Sequence, residues 1–247
     1  MTWFHAQAHH LLERLRHVLF PPVDVEREWA NVVHLEPGPG STVFAVATDG
    51  SRLTRVTLTW SVECQQPEAG FTITRNDLVS ITQRLRALSR SSVEVGFDDG
   101  SLHIGTDESH VRIPVQSRAY IEYRRVLPAE NEYRRGVILP KKQLVAASRC
   151  ACTVSTKGSF LLEYRPPSCN IWFVDDTGAM YTVAFGAQPH PGLADEPFAI
   201  RCKARHLRDA VEHCVGDEVM ICLGEAQKPV LVAGRCFNPL HWIAVET

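Results

Sequence analysis

Histidine, cysteine and aspartate are the side chains here with chemistry to offer, and their spacing argues against catalysis. Eleven histidines are spread over the chain. His9 and His10 are adjacent, so on a helix they point to different faces, and no acidic neighbour stands beside them to orient either ring. Asp98-Asp99 and Asp175-Asp176 have the look of metal carboxylates, yet each pair sits between two strand-like runs with a glycine following, which is hairpin-turn chemistry. The eight cysteines are Cys64, Cys150, Cys152, Cys169, Cys202, Cys214, Cys222 and Cys236, and none forms a Cys-x-x-Cys pair. Most lie inside apolar runs such as Val219-Met220-Ile221-Cys222-Leu223 and read as buried free thiols of a reducing compartment, not zinc ligands. The sequence has no Gly-x-Ser-x-Gly elbow, P-loop or His-Glu-x-x-His. The expectation is a chain with no catalytic residue, no metal and no cofactor. An enzyme on the same scaffold is the runner-up class, and its mark would be a cleft of clustered titratable groups.

The charged residues are more informative, through the helices that carry them. Four segments have a helical apolar period: Ala6 to Leu19, Asn76 to Leu88, Lys141 to Val154 and Ala204 to Cys214. With their immediate flanks (5–20, 75–90, 141–157 and 203–213) they hold a net charge of +9, against −2 for the whole chain, so the remainder holds −11. A helix with one apolar stripe exposes the opposite face, and here that face is basic. Four such helices on one side would present a positive surface on an acidic body, which suits a phosphate backbone without reading its sequence. The candidate DNA-facing residues are Arg14 and Arg16 on the first helix, and Arg84, Arg86 and Arg90 on and after the second. Lys141, Lys142 and Arg149 come from the third, and Lys203, Arg205 and Arg208 from the fourth. His5, His9 and His10 fall on the same proposed side, where protonation adds charge.

Strands fill the intervals. Trp29 to Leu35, Val43 to Ala47 and Val56 to Trp60 follow the first helix. Val93 to Phe97, Leu102 to Gly105 and Val111 to Val115 follow the second. Phe160 to Tyr164, Ile171 to Val174 and Tyr181 to Phe185 follow the third. Val219 to Leu223, Val230 to Ala233 and Trp242 to Val245 follow the fourth. Short strands at Phe71 to Thr74, Gly136 to Leu139 and Phe198 to Cys202 precede the last three helices. The unit is strand, helix, three strands, repeated about every 65 residues. Two units make one α+β domain, with two helices packed on antiparallel sheet.

The chain has 247 residues, 45% of them hydrophobic and 22% charged, as in ordinary globular proteins. That suits two domains, each able to bury a core without disulfides or metals. The polar run 129–135 after Pro128 reads as the linker, giving domains 1–128 and 129–247. No run approaches the roughly 18 apolar residues of a membrane helix. Met1 to Phe20 lacks signal-peptide order and reads as the first helix, so a cytoplasmic location is expected.

Val46-Ala47-Thr48-Asp49-Gly50-Ser51-Arg52-Leu53 resembles the Ala-Thr-Asp-Gly-His-Arg-Leu signature that follows a strand in bacterial DNA sliding clamps, the β subunits of DNA polymerase III. Tyr123-Arg124-Arg125-Val126-Leu127-Pro128 resembles the segment entering that family's last domain, and the Pro-Val-Leu run at 229–231 sits near the chain end as in the family. The separation of the two landmark motifs also matches. The resemblance covers nearly the whole chain but only the second and third of the family's three domains. It implies a six-domain ring around double-stranded DNA. Two-domain subunits would need three copies, so a homotrimeric processivity factor is expected, with a clamp loader as a possible further partner. It also implies an apolar pocket for short linear motifs of polymerases and other partners.

The positions that match the pocket are Thr48, Gly50, Arg52, Leu53, Arg125 and Val126, with Ser51 standing where the family usually has His. Gly50 would allow a tight turn, Leu53 and Val126 would form apolar walls, and Arg52 and Arg125 would hydrogen-bond a peptide. Ile121 replaces a Pro that often precedes the Tyr-Arg-Arg segment. The chain ends Trp242-Ile243-Ala244-Val245-Glu246-Thr247 in place of a Met-rich tail, so Ile243 or Val245 would line a smaller, less adaptable pocket. A non-encircling adaptor for clamp-binding peptides, or a subunit of a larger DNA repair or defence complex, is the alternative reading.

Overall fold

The computed structural model describes residues 2–19, 27–59, 70–98, 100–106, 109–116, 120–155, 158–225, 228–235 and 238–245. Met1, Phe20, Trp60, Cys64, Asp99, Cys236, Glu246 and Thr247, all named above, lie outside them. The chain divides into two compact units, Met1–Ile121 and Glu122–Thr247. The sequence reading placed that boundary at Pro128. The structure assigns the intervening segment to the second unit, where Pro128 lies against Gly224 and the Arg134 amide bonds the Leu223 carbonyl at 2.9 Å.

The first unit runs β1 (Thr2–Gln7), α1 (Ala8–Val18), β2 (Val32–Pro37), β3 (Thr42–Thr48), β4 (Arg52–Thr59), β5 (Phe71–Thr74), α2 (Arg75–Ala87), β6 (Ser92–Asp98), β7 (Ser101–Thr106) and β8 (Ser109–Pro114). One sheet has the order β1-β6-β7-β8; in the other, β5 pairs with β2, β2 with β3 and β3 with β4. The strand that opens each repeat therefore joins the three strands of the other repeat. The two repeats interlock, and neither has a complete sheet alone.

Two sequence expectations need correction here. Thr2–Gln7 is a strand, and the helix begins only at Ala8. Antiparallel pairing with Ser92–Asp98 draws those residues out of the helix, and His5 with them. Residues Glu28–Asn31 form a 3-10 turn, so the following strand starts at Val32, not Trp29. Thr74 caps the second helix, its Oγ1 accepting from the Asp77 amide at 3.1 Å. Leu78, Ile81 and Leu85 turn inward onto the core that also takes Leu11, Leu12 and Leu15 of α1.

The second unit runs β9 (Arg135–Pro140), α3 (Lys141–Val154), β10 (Ser159–Arg165), β11 (Ser168–Val174), β12 (Met180–Gly186), β13 (Gln188–Pro189), β14 (Phe198–Lys203), α4 (Ala204–His213), β15 (Glu218–Leu223), β16 (Val230–Gly234) and β17 (Leu240–Ile243). The interlock repeats: β14 joins β10, β11 and β12, while β9 joins β15, β16 and β17. The last strand ends at Ile243, two residues before the expected Val245. The two-residue strand β13, unmarked in the sequence, pairs with β9. Alternation along β10 and β11 buries Phe160, Leu162, Tyr164, Cys169, Ile171 and Phe173 against Leu144, Ala147 and Ala151 of α3 and Leu207, Ala210 and Val211 of α4. Among the described residues no helix is long and apolar enough to cross a membrane, and no His, Cys, Asp or Glu cluster has metal-holding geometry.

Candidate functional site

The basic helix faces divide into free cations and cations held by the fold. The hydrophobic stripe of each helix turns Arg16, Arg86, Lys142 and Arg205 to solvent, and Arg90 and Lys203 flank their helices exposed as well. None of these six has an ion pair among the described residues. His9 and His10 are exposed on α1. His5 sits instead on β1, with Nδ1 3.9 Å from Glu94.

The remaining candidates are engaged. Arg14 is half-buried. Arg84, also half-buried, donates to Ser109 Oγ at 2.7 Å. Arg149 pairs with Glu212 at 2.8 Å and Arg208 with Asp209 at 2.5 Å, which raises the Arg208 pKa. Lys141 departs furthest from its expected role. Its ammonium donates to the Glu212 carbonyl at 3.1 Å and the Cys214 carbonyl at 2.6 Å, closing the C-terminal end of α4. In the first unit Arg75, at the start of α2, likewise donates to the Leu19 carbonyl at the end of α1. Burial lowers the Arg75 pKa, opposed by the charge of Asp49. In each unit, then, a cation at the first turn of one helix meets the partial negative charge at the C-terminus of its neighbour. Sequence reasoning missed Glu212 and Asp209 as partners. Arg149 and Glu212 are 63 residues apart, with no local signal to join them.

The Thr48–Leu53 segment is the tight turn between β3 and β4. Thr48 Oγ1 donates to the Arg52 carbonyl at 2.6 Å and accepts from the Gly50 amide at 3.0 Å. Asp49 Oδ1 accepts from the Ser51 and Arg52 amides at 2.9 and 2.8 Å. Its other oxygen takes Arg52 Nε and Nη2 at 2.9 and 2.6 Å, a two-pronged pair. The side chains are 1% (Arg52) and 9% (Asp49) exposed. Gly50 has φ +88, and a Cβ there would come within 2.7 Å of Arg27 Nη1 and 3.0 Å of the Trp29 ring. Only glycine meets both demands.

The Arg52 guanidinium, expected to meet a peptide, is buried and bonded on its own turn. Leu53 is also buried. In the second unit Arg125 is exposed and pairs with Glu122, and Val126 is 59% exposed on the same short 3-10 segment. Ile243 is fully buried in the unit's core. Val245 is half-buried against that core.

Asp175 organises the β11–β12 turn. Its carboxylate accepts from the Thr177 amide and hydroxyl, the Ala179 amide and the Tyr181 hydroxyl, which hold its pKa down at about 2.

Paired helices on interlocked antiparallel sheets, built twice, match solved structures along the full chain. The β subunit of DNA polymerase III from Thermotoga maritima superposes with a TM-score of 0.87 at 17% identity, over 100% of this chain and 66% of that one. The chain has the sliding-clamp fold. The β subunit from Pseudomonas aeruginosa gives 0.84 at 18%, over 99% of this chain and 65% of that one. The DnaN sliding clamp of Bartonella birtlesii, bound to griselimycin, gives 0.82 at 18%, over 100% and 66%. This clamp-like chain thus spans about two thirds of the length of those clamps. No protein-family model matches it, and no curated protein matches its sequence.

Proposed function

We propose that the chain is a sliding-clamp-like processivity factor. It encircles double-stranded DNA without reading sequence, as a homotrimeric six-domain ring, and tethers a polymerase or another DNA-processing protein bearing a clamp-binding motif. The match of its whole length to clamp structures carries this reading. The exposed cations Arg16, Arg86, Arg90, Lys142, Lys203 and Arg205 support it, since every α-helix or its flank supplies at least one. Lys141 and Arg149 contribute less than their charge suggests, being bonded within the fold. The protein is an accessory factor of the cytoplasm, and a clamp loader would open its ring.

The peptide site is the smaller part of the proposal. One relative is a clamp bound to griselimycin, which supports a ligand site on this fold. Of the residues expected to meet a peptide, Arg125 and Val126 are exposed on the second unit, whereas Arg52 and Leu53 of the first unit are buried. The internal ion pairs of α4 thin the positive charge of the second unit, and that observation favours the adaptor alternative.

Solution mass decides between the two. Light scattering across a concentration series is expected to give about 83 kDa, three times 27.6 kDa. A single species near 27.6 kDa at every concentration would remove the ring and leave the adaptor.

A further inference from the structure

The exposed face of α1 differs in charge from those of the other helices. Its exposed residues are His9, His10, Glu13 and Arg16, while Arg14 is half-buried. Glu13 and Arg16 cancel, so without a charged histidine this face has no net charge. The other three helices expose Arg86, Lys142, Arg149 and Arg205, and their acids, Asp77, Asp209 and Glu212, are half-buried. Any positive surface on α1 therefore has to come from its two histidines.

Adjacent residues on a helix point apart, yet here the two rings meet. Their centroids are 4.0 Å apart, with the planes tilted by 48°. Glu13 lies four residues from His9 and three from His10, on the same side of the helix, and makes no ion pair among the described residues.

The other neighbours of the pair are mainly cationic. The Ala8 amide bonds the Ser91 carbonyl at 3.1 Å, which sets this end of α1 beside the end of α2 and its flank, with Arg84, Arg86 and Arg90. Arg75 and Asp77 stand at the far end of α2. α1 itself adds Arg14 and the positive end of its dipole, and β1 adds His5, which sits beside Glu94. Beneath the helix, β3 and β4 with their turn bring Arg52, held by Asp49, and Arg55, whose guanidinium lies over the Phe44 ring.

An imidazole titrates between about pH 5 and 8, and a nearby anion favours its charged form. Two imidazolium rings at 4.0 Å repel, and a phosphate beside both offsets the repulsion. We propose that His9 and His10 are a proton-linked contact to the DNA backbone: the pair takes up protons as phosphates approach, and so gives α1 its positive face. Binding through α1 is then strong in mild acid and weak in mild alkali, whereas the arginine and lysine contacts of the other helices hold at both. The proposal rests on the DNA-binding reading and adds its dependence on pH; a closed ring is not needed for it.

The test is affinity for a linear duplex, titrated over a range of salt at about pH 6 and about pH 8. The wild type is expected to bind roughly tenfold tighter or more at the lower pH. Its salt slope there should be steeper by about 0.9 for each phosphate added. His9→Gln with His10→Gln is expected to flatten the pH response. His9→Lys with His10→Lys should instead show the steep slope at both pH values, because lysine stays charged. His5→Gln, on β1 and beside Glu94, should keep the wild-type response. Both substituted helix positions are exposed, and Gln and Lys suit a helix better than His, so folding is kept; thermal melts at each pH check it. One affinity and one slope for the wild type at both pH values overturns the proposal while DNA binding stands. So does a Gln pair that responds as the wild type does, or a Lys pair whose slope stays shallow at the higher pH. A wild type that binds no duplex at either pH sinks the DNA reading as well.

Discussion

Removing the Arg52 guanidinium would leave the Asp49 carboxylate, 9% exposed, without its two-pronged partner and held by the backbone amides of Ser51 and Arg52 and the charge of Arg75. Breaking a buried pair from one side costs about 3 kcal/mol or more, because the surviving charge stays desolvated. Arg52→Met is therefore expected to lower the urea-unfolding free energy by about 3 kcal/mol. A loss below about 0.5 kcal/mol would mean that the guanidinium is solvated and free to meet a peptide after all. The residue types of this turn were legible in the sequence, and so was the need for glycine at position 50. The burial of Arg52 was not, because it arises from the packing of the strands around the turn. The three-residue spacing of Asp49 and Arg52 was the available signal, and it favours a local pair over an outward-facing donor. The same reasoning applies to Ile243, an apolar residue near the chain end that packs in the second unit's core.

Lys141 and Lys142 are adjacent in sequence, yet they separate two functions of one helix. Lys141 donates to two carbonyls at the end of α4, while Lys142 faces solvent. Lys141→Gln is expected to cost about 1–2 kcal/mol of stability from the lost charge-assisted bonds, with little change in DNA affinity. Lys142→Glu is expected to leave the melting temperature in place and weaken DNA binding several-fold. The pair of measurements, thermal melts and DNA titrations on both variants, fails the assignment if the two effects fall on the opposite residues. The helical stripes and the strand-helix-three-strand unit were readable because periodicity is local. The opening strand Thr2–Gln7 was not, since its partner Ser92–Asp98 lies in the other repeat. Interlocked repeats hide this kind of pairing from any window of sequence.

Charge binds DNA by itself, and only topology makes a clamp. Binding through phosphates weakens steeply as salt rises, with a slope of roughly −0.9 per phosphate neutralised, on any DNA shape. A closed ring adds a term that salt does not touch, because release from a circle requires a junction to open. The sequence held the charge, +9 on four helices and their flanks, but nothing in it fixes how many copies meet. Loaded on nicked circular DNA, the protein is expected to stay bound in a salt wash that strips it from linear fragments, and to slide off within seconds to minutes once the circle is cut. The triple variant Arg86→Glu, Lys142→Glu, Arg205→Glu removes exposed charge from three helices, so it should load far less at low salt while any rings already closed resist the wash as the wild type does. Equal loss from circles and linear fragments at every salt concentration would mean that the chain binds by its surface alone, and its clamp fold would then serve an adaptor.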